Sequence, residues 1–188
     1  MHKSNPNPHV NANALPRTQP PLQRLVGLPH LLGSNTRLLV LGSFPSVASL
    51  ARQQYYAHPQ NQFWKILQAL WPDHPIEMTS SSYENRCHWL LDRGLGVWDV
   101  YATCERQGSL DAAIRHPQVN DFSDLQRRCP LLRAIAHNGG ESFRHAKHMV
   151  TLGLPVYKLP STSAANASWS FERKLAAWRE VVAAVGLL

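Results

Sequence analysis

Beyond residue 36 the chain alternates short apolar runs with stretches of helical periodicity. Four runs, RLLVLG (37–42), GVWDV (96–100), RAIAHNG (133–139) and VYKLPS (156–161), have strand length, and each ends in a polar or Gly-containing turn. Between them Phe63, Ile66, Leu67 and Leu70 recur at i, i+3, i+4 and i+7. Tyr83, Cys87, Leu90 and Leu91 form a second helical stripe that ends at Gly94. Ser81 with Glu84 reads as a capping box. A last helix, about Ser168 to Val185, would bury Phe171, Leu175, Trp178 and Val182 and stop at Gly186.

Strands separated by helices imply right-handed crossovers and an α/β fold whose parallel sheet is covered on both faces. Ligands of such sheets bind at the carboxyl ends of the strands. The polar clusters Ser43 to Ser49, His137 to Gly140 and Ser161 to Asn166 all follow candidate strands, so they should converge on one edge. The opening segment, MHKSNPNPHVNANALPRTQPP, has no apolar periodicity and too little to bury against its chain entropy. Residues 1–25 are therefore expected to be a disordered basic tail, and 26–188 a single domain, which suits a chain of 188 residues.

Charge sharpens this picture. The net charge is +7, and no acid precedes Asp73, whereas Lys3, Arg17, Arg24, Arg37, Arg52 and Lys65 do. A cationic opening segment suits an anionic partner such as a phosphate backbone, although a solvated basic surface would look the same. Three cysteines, Cys87, Cys104 and Cys129, lack C-x-x-C spacing and are too few for a four-thiolate cluster. His145 and His148 lack a third ligand. No metal or cofactor is expected. Reduced thiols, with no apolar run of signal or membrane-spanning length, lead to the expectation of a cytoplasmic, monomeric protein with no membrane partner. There is no G-x-G-x-x-G, Walker loop or G-x-S-x-G elbow.

The stretch LVLGSFPSVASLARQQYYAHPQNQFWKIL, Leu39 to Leu67, carries five aromatic residues, amides, hydroxyls and one His, but no Asp or Glu. Read alone, Asn61 is as good a helix cap as a catalytic group. His58 before Pro59 is as good a structural residue as a donor. Tyr55, Tyr56 and Phe63 could stack on a base or lie in the core. Gly42 shapes a turn, and Ser43 and Ser46 offer donors to phosphate or to the turn itself. Ser161, Thr162 and Ser163 form a short loop placed to cap the final helix.

The blocks LGSFPSVASLARQQYYAHPQNQFW, GVWDVYATCERQGSLDAAI, NDF, HNG and LPSTSAANA together resemble the hypoxanthine-DNA glycosylase family, the sixth family of the uracil-DNA glycosylase superfamily. The resemblance implies a three-layer α/β/α fold with a four-stranded parallel sheet. It implies a DNA partner containing deaminated bases, with excision of hypoxanthine and, as a further candidate, uracil. Phe44 stands where other families of the superfamily have Asp or Asn, so the resemblance nominates Asn61 to orient water, with His58 beside it. It nominates Tyr56, Phe63 and Phe44 around the flipped base and Asn138 to read its edge. Gly42, Ser43, Ser46 and Ser161 to Ser163 would contact DNA. A carboxamide is too weak a base to deprotonate water, but orienting it suffices if the glycosidic bond is largely broken first. No lysine lies in these motifs, so a Schiff-base lyase step is not expected. The competing readings are a non-catalytic lesion-binding module and a Ser-dependent hydrolase.

Overall fold

The computed structural model describes residues 23–77 and 82–188. In chain order the strands are β1 (Arg24–Val26), β2 (Leu38–Gly42), β3 (Leu95–Asp99), β4 (Tyr101–Glu105), β5 (Arg115–Val119), β6 (Ala134–Asn138) and β7 (Val156–Leu159). The helices are α1 (Val47–Arg52), α2 (Phe63–Leu70), α3 (Tyr83–Asp92), α4 (Leu125–Arg128), α5 (Gly140–Phe143), α6 (Ala146–Val150) and α7 (Phe171–Ala184). Four strands form a parallel sheet in the order β3-β2-β6-β7. They are the four that the apolar runs predict.

Every residue of β2 and β6 is buried, as expected for strands covered on both faces. Leu38 and Val40 face one layer with Phe63, Ile66, Leu67, Leu90 and Trp178 from α2, α3 and α7. Leu39 and Leu41 face the other, where Leu125 of α4 and Met149 of α6 lie with Phe44, Tyr101 and Phe122. The alternation along β2 thus separates two cores and makes the three layers. Gly94, at φ 69°, ends the turn after α3, and Gly186, at φ 69°, follows α7, as the helix stops predict. Ser81 of the expected capping box lies outside the described residues. The last helix begins at Phe171 because Ser170 takes the cap, accepting a hydrogen bond from the Arg173 N–H.

The sequence reading has no counterpart for a second, antiparallel sheet, β1-β4-β5. Val100 alone separates β3 from β4, so the chain passes from one sheet to the other at the carboxyl edge. Arg24 and Leu25 pair with Glu105 and Cys104, which places them in β1 rather than in a tail ending at residue 25. Residues 1–22 lie outside the described residues.

Candidate active site

The carboxyl ends of β2, β3, β6 and β7 open into a cleft of about 1020 Å³. Gly42, Ser43, Phe44, Ser46, Tyr56, His58, Asn61, Asn138 and Ser161 to Ser163 all line it. The three strand-end clusters therefore do converge. Phe63 is the exception. It is fully buried and stacks behind Tyr56, ring centroids 3.9 Å apart at 22°, so it supports that ring and cannot itself touch a base. Tyr55 is also core, and its hydroxyl donates to the Pro29 carbonyl at 3.1 Å. Tyr56 adopts φ 54°, a left-handed conformation uncommon for a bulky residue, and its buried hydroxyl lies beside the Asn138 carboxamide.

Asn61 has a divided role. Its Oδ1 accepts from the Phe63 N–H at 2.9 Å at the start of α2, which fixes the amide orientation and leaves Nδ2 and one oxygen lone pair uncommitted. Asn61 thus lines the cleft and braces the turn into α2, whose cap position is Gln62. His58 is exposed at the mouth, and its Nδ1 accepts from the Gln60 N–H at 3.2 Å, so Nε2 carries the ring proton when the imidazole is neutral.

Asn138 and Thr162 tie two walls together. Asn138 Nδ2 donates to Thr162 Oγ1 and its Oδ1 accepts from the Thr162 N–H, both at 2.9 Å, while the Thr162 carbonyl accepts from the Gln62 N–H at 2.9 Å. The second N–H of Asn138 is turned toward the buried Tyr56 hydroxyl. Thr162 is fully buried by these contacts, so it pins the loop and is not itself a DNA-contacting side chain. Ser161 and Ser163 stay half-buried along the cleft. Gly42 is likewise buried, and its function is space: a Cβ there would collide with Asp99 Oδ1. Ser46 caps α1 through the Ser49 N–H at 3.1 Å, and Ser43 Oγ donates to Asp111 Oδ1 at 2.6 Å.

The carboxylates absent from the first motif therefore arrive by topology. Asp99 ends β3 in register with Gly42, and Asp111 comes from the β4–β5 connection together with Ser109 and Leu110. Asp99 is buried, its Oδ2 has no hydrogen-bond partner, and desolvation, reinforced by Asp111 and opposed by Arg106, pushes its pKa up to about 7. An acid at the end of an apolar strand was the available signal for Asp99. Nothing local marks Asp111. Trp169 also lines the cleft, with the Arg173 guanidinium 4.5 Å from its ring centre. Among the described residues no His, Cys, Asp and Glu group could hold a metal ion, and no helix is long and apolar enough to cross a membrane.

The fold and cleft have counterparts of known kind. The profile described as the uracil DNA glycosylase superfamily matches residues 29–182. A hypoxanthine DNA glycosylase of Methanosarcina acetivorans is 36% identical over 150 residues, 79% of this chain and 92% of that protein. One from Methanosarcina barkeri is 32% identical over 154 residues, 82% of this chain and 95% of the relative. The solution NMR structure of a candidate uracil DNA glycosylase from Methanosarcina acetivorans superposes with a TM-score of 0.76 at 34% identity, covering 87% of this chain and 99% of that one. Together with the parallel sheet and the cleft at its carboxyl edge, these matches show that the chain is a DNA glycosylase and belongs to the uracil DNA glycosylase superfamily, beside the hypoxanthine DNA glycosylases.

Proposed function

We propose that the enzyme removes deaminated bases from DNA, hypoxanthine foremost and uracil as a second substrate, by flipping the nucleotide into the cleft and hydrolysing its N-glycosidic bond. The observation that carries this reading is the convergence of Tyr56, Asn61 and Asn138, from three separate segments, on one cavity at the carboxyl edge. In the reaction the C1′–N bond breaks with its electron pair passing to the base. Water oxygen then bonds to C1′ and the base takes up a proton. An abasic site and a free base result. The Tyr56 ring, backed by Phe63, offers a face for stacking. The second N–H of Asn138, exchanging the Tyr56 hydroxyl for substrate, donates to the base carbonyl, and Asn61 orients the water beside the sugar. His58 at the mouth can donate to the departing base or to phosphate. Such catalysis works by positioning and by donors aimed at developing charge.

The Ser-dependent alternative fits poorly with the geometry. The Ser–His hydrogen bond that the fold makes, His137 Nδ1 to Ser142 Oγ at 2.7 Å, is buried, and Ser142 donates its proton to the Leu41 carbonyl at 2.8 Å. A monofunctional reaction is proposed even though Lys158 reaches the cleft wall. Its ammonium sits over the Phe143 ring at 5.5 Å, and borohydride should trap no Schiff base with abasic DNA. The deciding experiment incubates duplexes containing inosine, uracil or normal bases and then cleaves abasic sites with alkali. Strand breaks at inosine are expected. Their absence across the panel, with DNA binding retained, would establish the lesion-binding alternative instead.

A further inference from the structure

We propose that Asp99 reads the lactam edge of the flipped base as a neutral carboxylic acid, its carbonyl oxygen accepting from the ring N–H and its O–H donating to the adjacent base carbonyl. The proposal rests on the glycosylase reading above and adds to it a residue that sets specificity. Across the sheet edge Asp99, Gly42 and Asn138 end three successive strands, with Asp99 paired to Gly42 in register. Neighbouring strands lie about 4.8 Å apart, so the two polar residues bracket a bare glycine from backbones roughly 10 Å apart. A purine edge fits that interval. Asp99 approaches it from the ring N–H side, and the second N–H of Asn138, released from the Tyr56 hydroxyl, from the opposite side of the same carbonyl, whose two lone pairs accept both donors.

Buried polar groups are normally satisfied, and a buried carboxyl oxygen without a partner needs a reason. Asp99 Oδ2 has none among the protein's own hydrogen bonds, Asp99 lines the cleft, and the absence of a side chain at Gly42 leaves room there for its Oδ1. The substrate supplies the missing partners. The groups around it favour the protonated form. Burial disfavours the carboxylate, and Asp111 repels a second charge. Arg106, whose Nη2 donates to the Pro45 carbonyl, acts in the other direction and is outweighed by burial. An ionised Asp99 would set a negative charge against the base carbonyl, where electron density accumulates as the glycosidic bond breaks. A neutral acid donates there, and its bond strengthens in the transition state.

Single-turnover excision of inosine from pH 5.5 to 9, by the parent enzyme and by Asp99→Asn, tests the assignment. The carboxamide keeps one donor and one acceptor but cannot ionise. The parent rate should fall about tenfold per pH unit above neutrality, while Asp99→Asn should stay within roughly tenfold of the parent at pH 6 and lose that alkaline fall. His58, Asp111 and Lys158 remain in the variant, so an alkaline limb that persists would belong to one of them and overturn the proposal. A dead variant, with a parent rate that rises through neutrality, would make Asp99 a base acting on water and also overturn it. If the variant does not fold, the carboxyl carbon resonance of Asp99 in the parent decides. It should report a protonated acid at pH 6 and a carboxylate at pH 8.5, and a carboxylate signal at pH 6 ends the idea. A parent that releases no hypoxanthine at any pH instead sinks the glycosylase reading, an outcome distinct from all of these.

Discussion

The carboxyl edge of the parallel sheet and the small antiparallel sheet beside it face the same cleft but are built on opposite terms. Every residue of β2 and β6 is buried, whereas every residue of β5 is exposed. Gly42, Asp99 and Asn138 are held by strand register, so their relative positions follow from the ladder itself. Ser109 and Asp111 are tied to the first turn by side-chain bonds, from the Val47 N–H to Ser109 Oγ at 3.0 Å and from Ser43 Oγ to Asp111, and Asp111 opens a single 3-10 turn, Asp111–Ala113. The lesson is a division of labour. The rigid edge fixes the groups proposed to touch the base, and the antiparallel sheet carries the wall and the charge proposed to tune them.

The sharpest way to break the edge is Asn138→Asp. The local network survives, because the Thr162 hydroxyl can turn and donate to the new carboxylate while the Thr162 N–H is still accepted. The second N–H, turned toward Tyr56 and proposed to serve the base, is lost and replaced by a negative charge. Mispaired polar groups in a closed site can cost on the order of 10⁴, so excision of inosine should nearly vanish with fold and DNA affinity retained. Thr162→Val is the complement, since it loosens the loop but leaves Asn138 intact. A smaller loss there in single-turnover assays would place recognition in the amide, and equal losses would make Asn138 a loop anchor.

Asn61→Ala comes next, with an expected rate loss on the order of 10² to 10³ and little change in DNA binding, since a group that positions water acts mainly in the transition state. Because Asn61 also accepts from the Phe63 N–H, the variant should lose about 1 kcal/mol of stability, visible in thermal melts. Stability loss with undiminished rate would reduce Asn61 to a cap.

A weaker effect should follow from uncoupling the wall. Asp111→Asn keeps an acceptor for Ser43 but removes the charge that raises the Asp99 pKa. The Asp99 pKa then falls, and the alkaline limb of the excision profile should move to lower pH while the rate at pH 6 changes only a few fold, roughly. An unmoved limb would mean that the two regions are not coupled electrostatically.

What was legible in the sequence follows the same division. Buried parallel strands carry near-continuous apolar runs, so β2, β3, β6 and β7 were readable, and the residues at their carboxyl ends could be assigned to one cleft. The β1-β4-β5 sheet was not. Strand β5, with the sequence RHPQV, is polar and interrupted by Pro117, and its ladder with β4 shifts register twice, so no alternation betrays it. Depth was equally hidden. Phe63 and Thr162 sit in the right motifs yet are fully buried, because tertiary packing decides which face of a loop meets solvent. His137 shows the same limit. Its place in HNG suggested a cleft residue, yet burial, with the nearby His145, lowers its pKa to about 4 beneath the sheet edge. Asp99 meets Gly42 only through a register that no local pattern encodes.

The smallest effect is expected at the start of the chain, where a pair of truncations separates charge from structure. Removing residues 1–22 takes away Lys3 and Arg17 and leaves β1 whole. Two cations contribute at most about two to the slope of log affinity against log salt, so binding should weaken modestly at low salt and converge with the parent as salt rises. Single-turnover rates should be unchanged, because no residue of that segment is needed for the edge. Removing residues 1–26 goes further. It deletes β1, with the Arg24 Nη2 to Thr103 Oγ1 bond at 2.8 Å, and exposes the inner edge of β4. Because β4 leads directly into the connection that carries Ser109 and Asp111, this second truncation should loosen the wall and shift the alkaline limb in the direction of Asp111→Asn. Measured side by side, equal pH profiles for the two truncations would show that the antiparallel sheet holds its wall without β1. A rate loss already present in the shorter truncation would mean that the opening segment takes part in the chemistry.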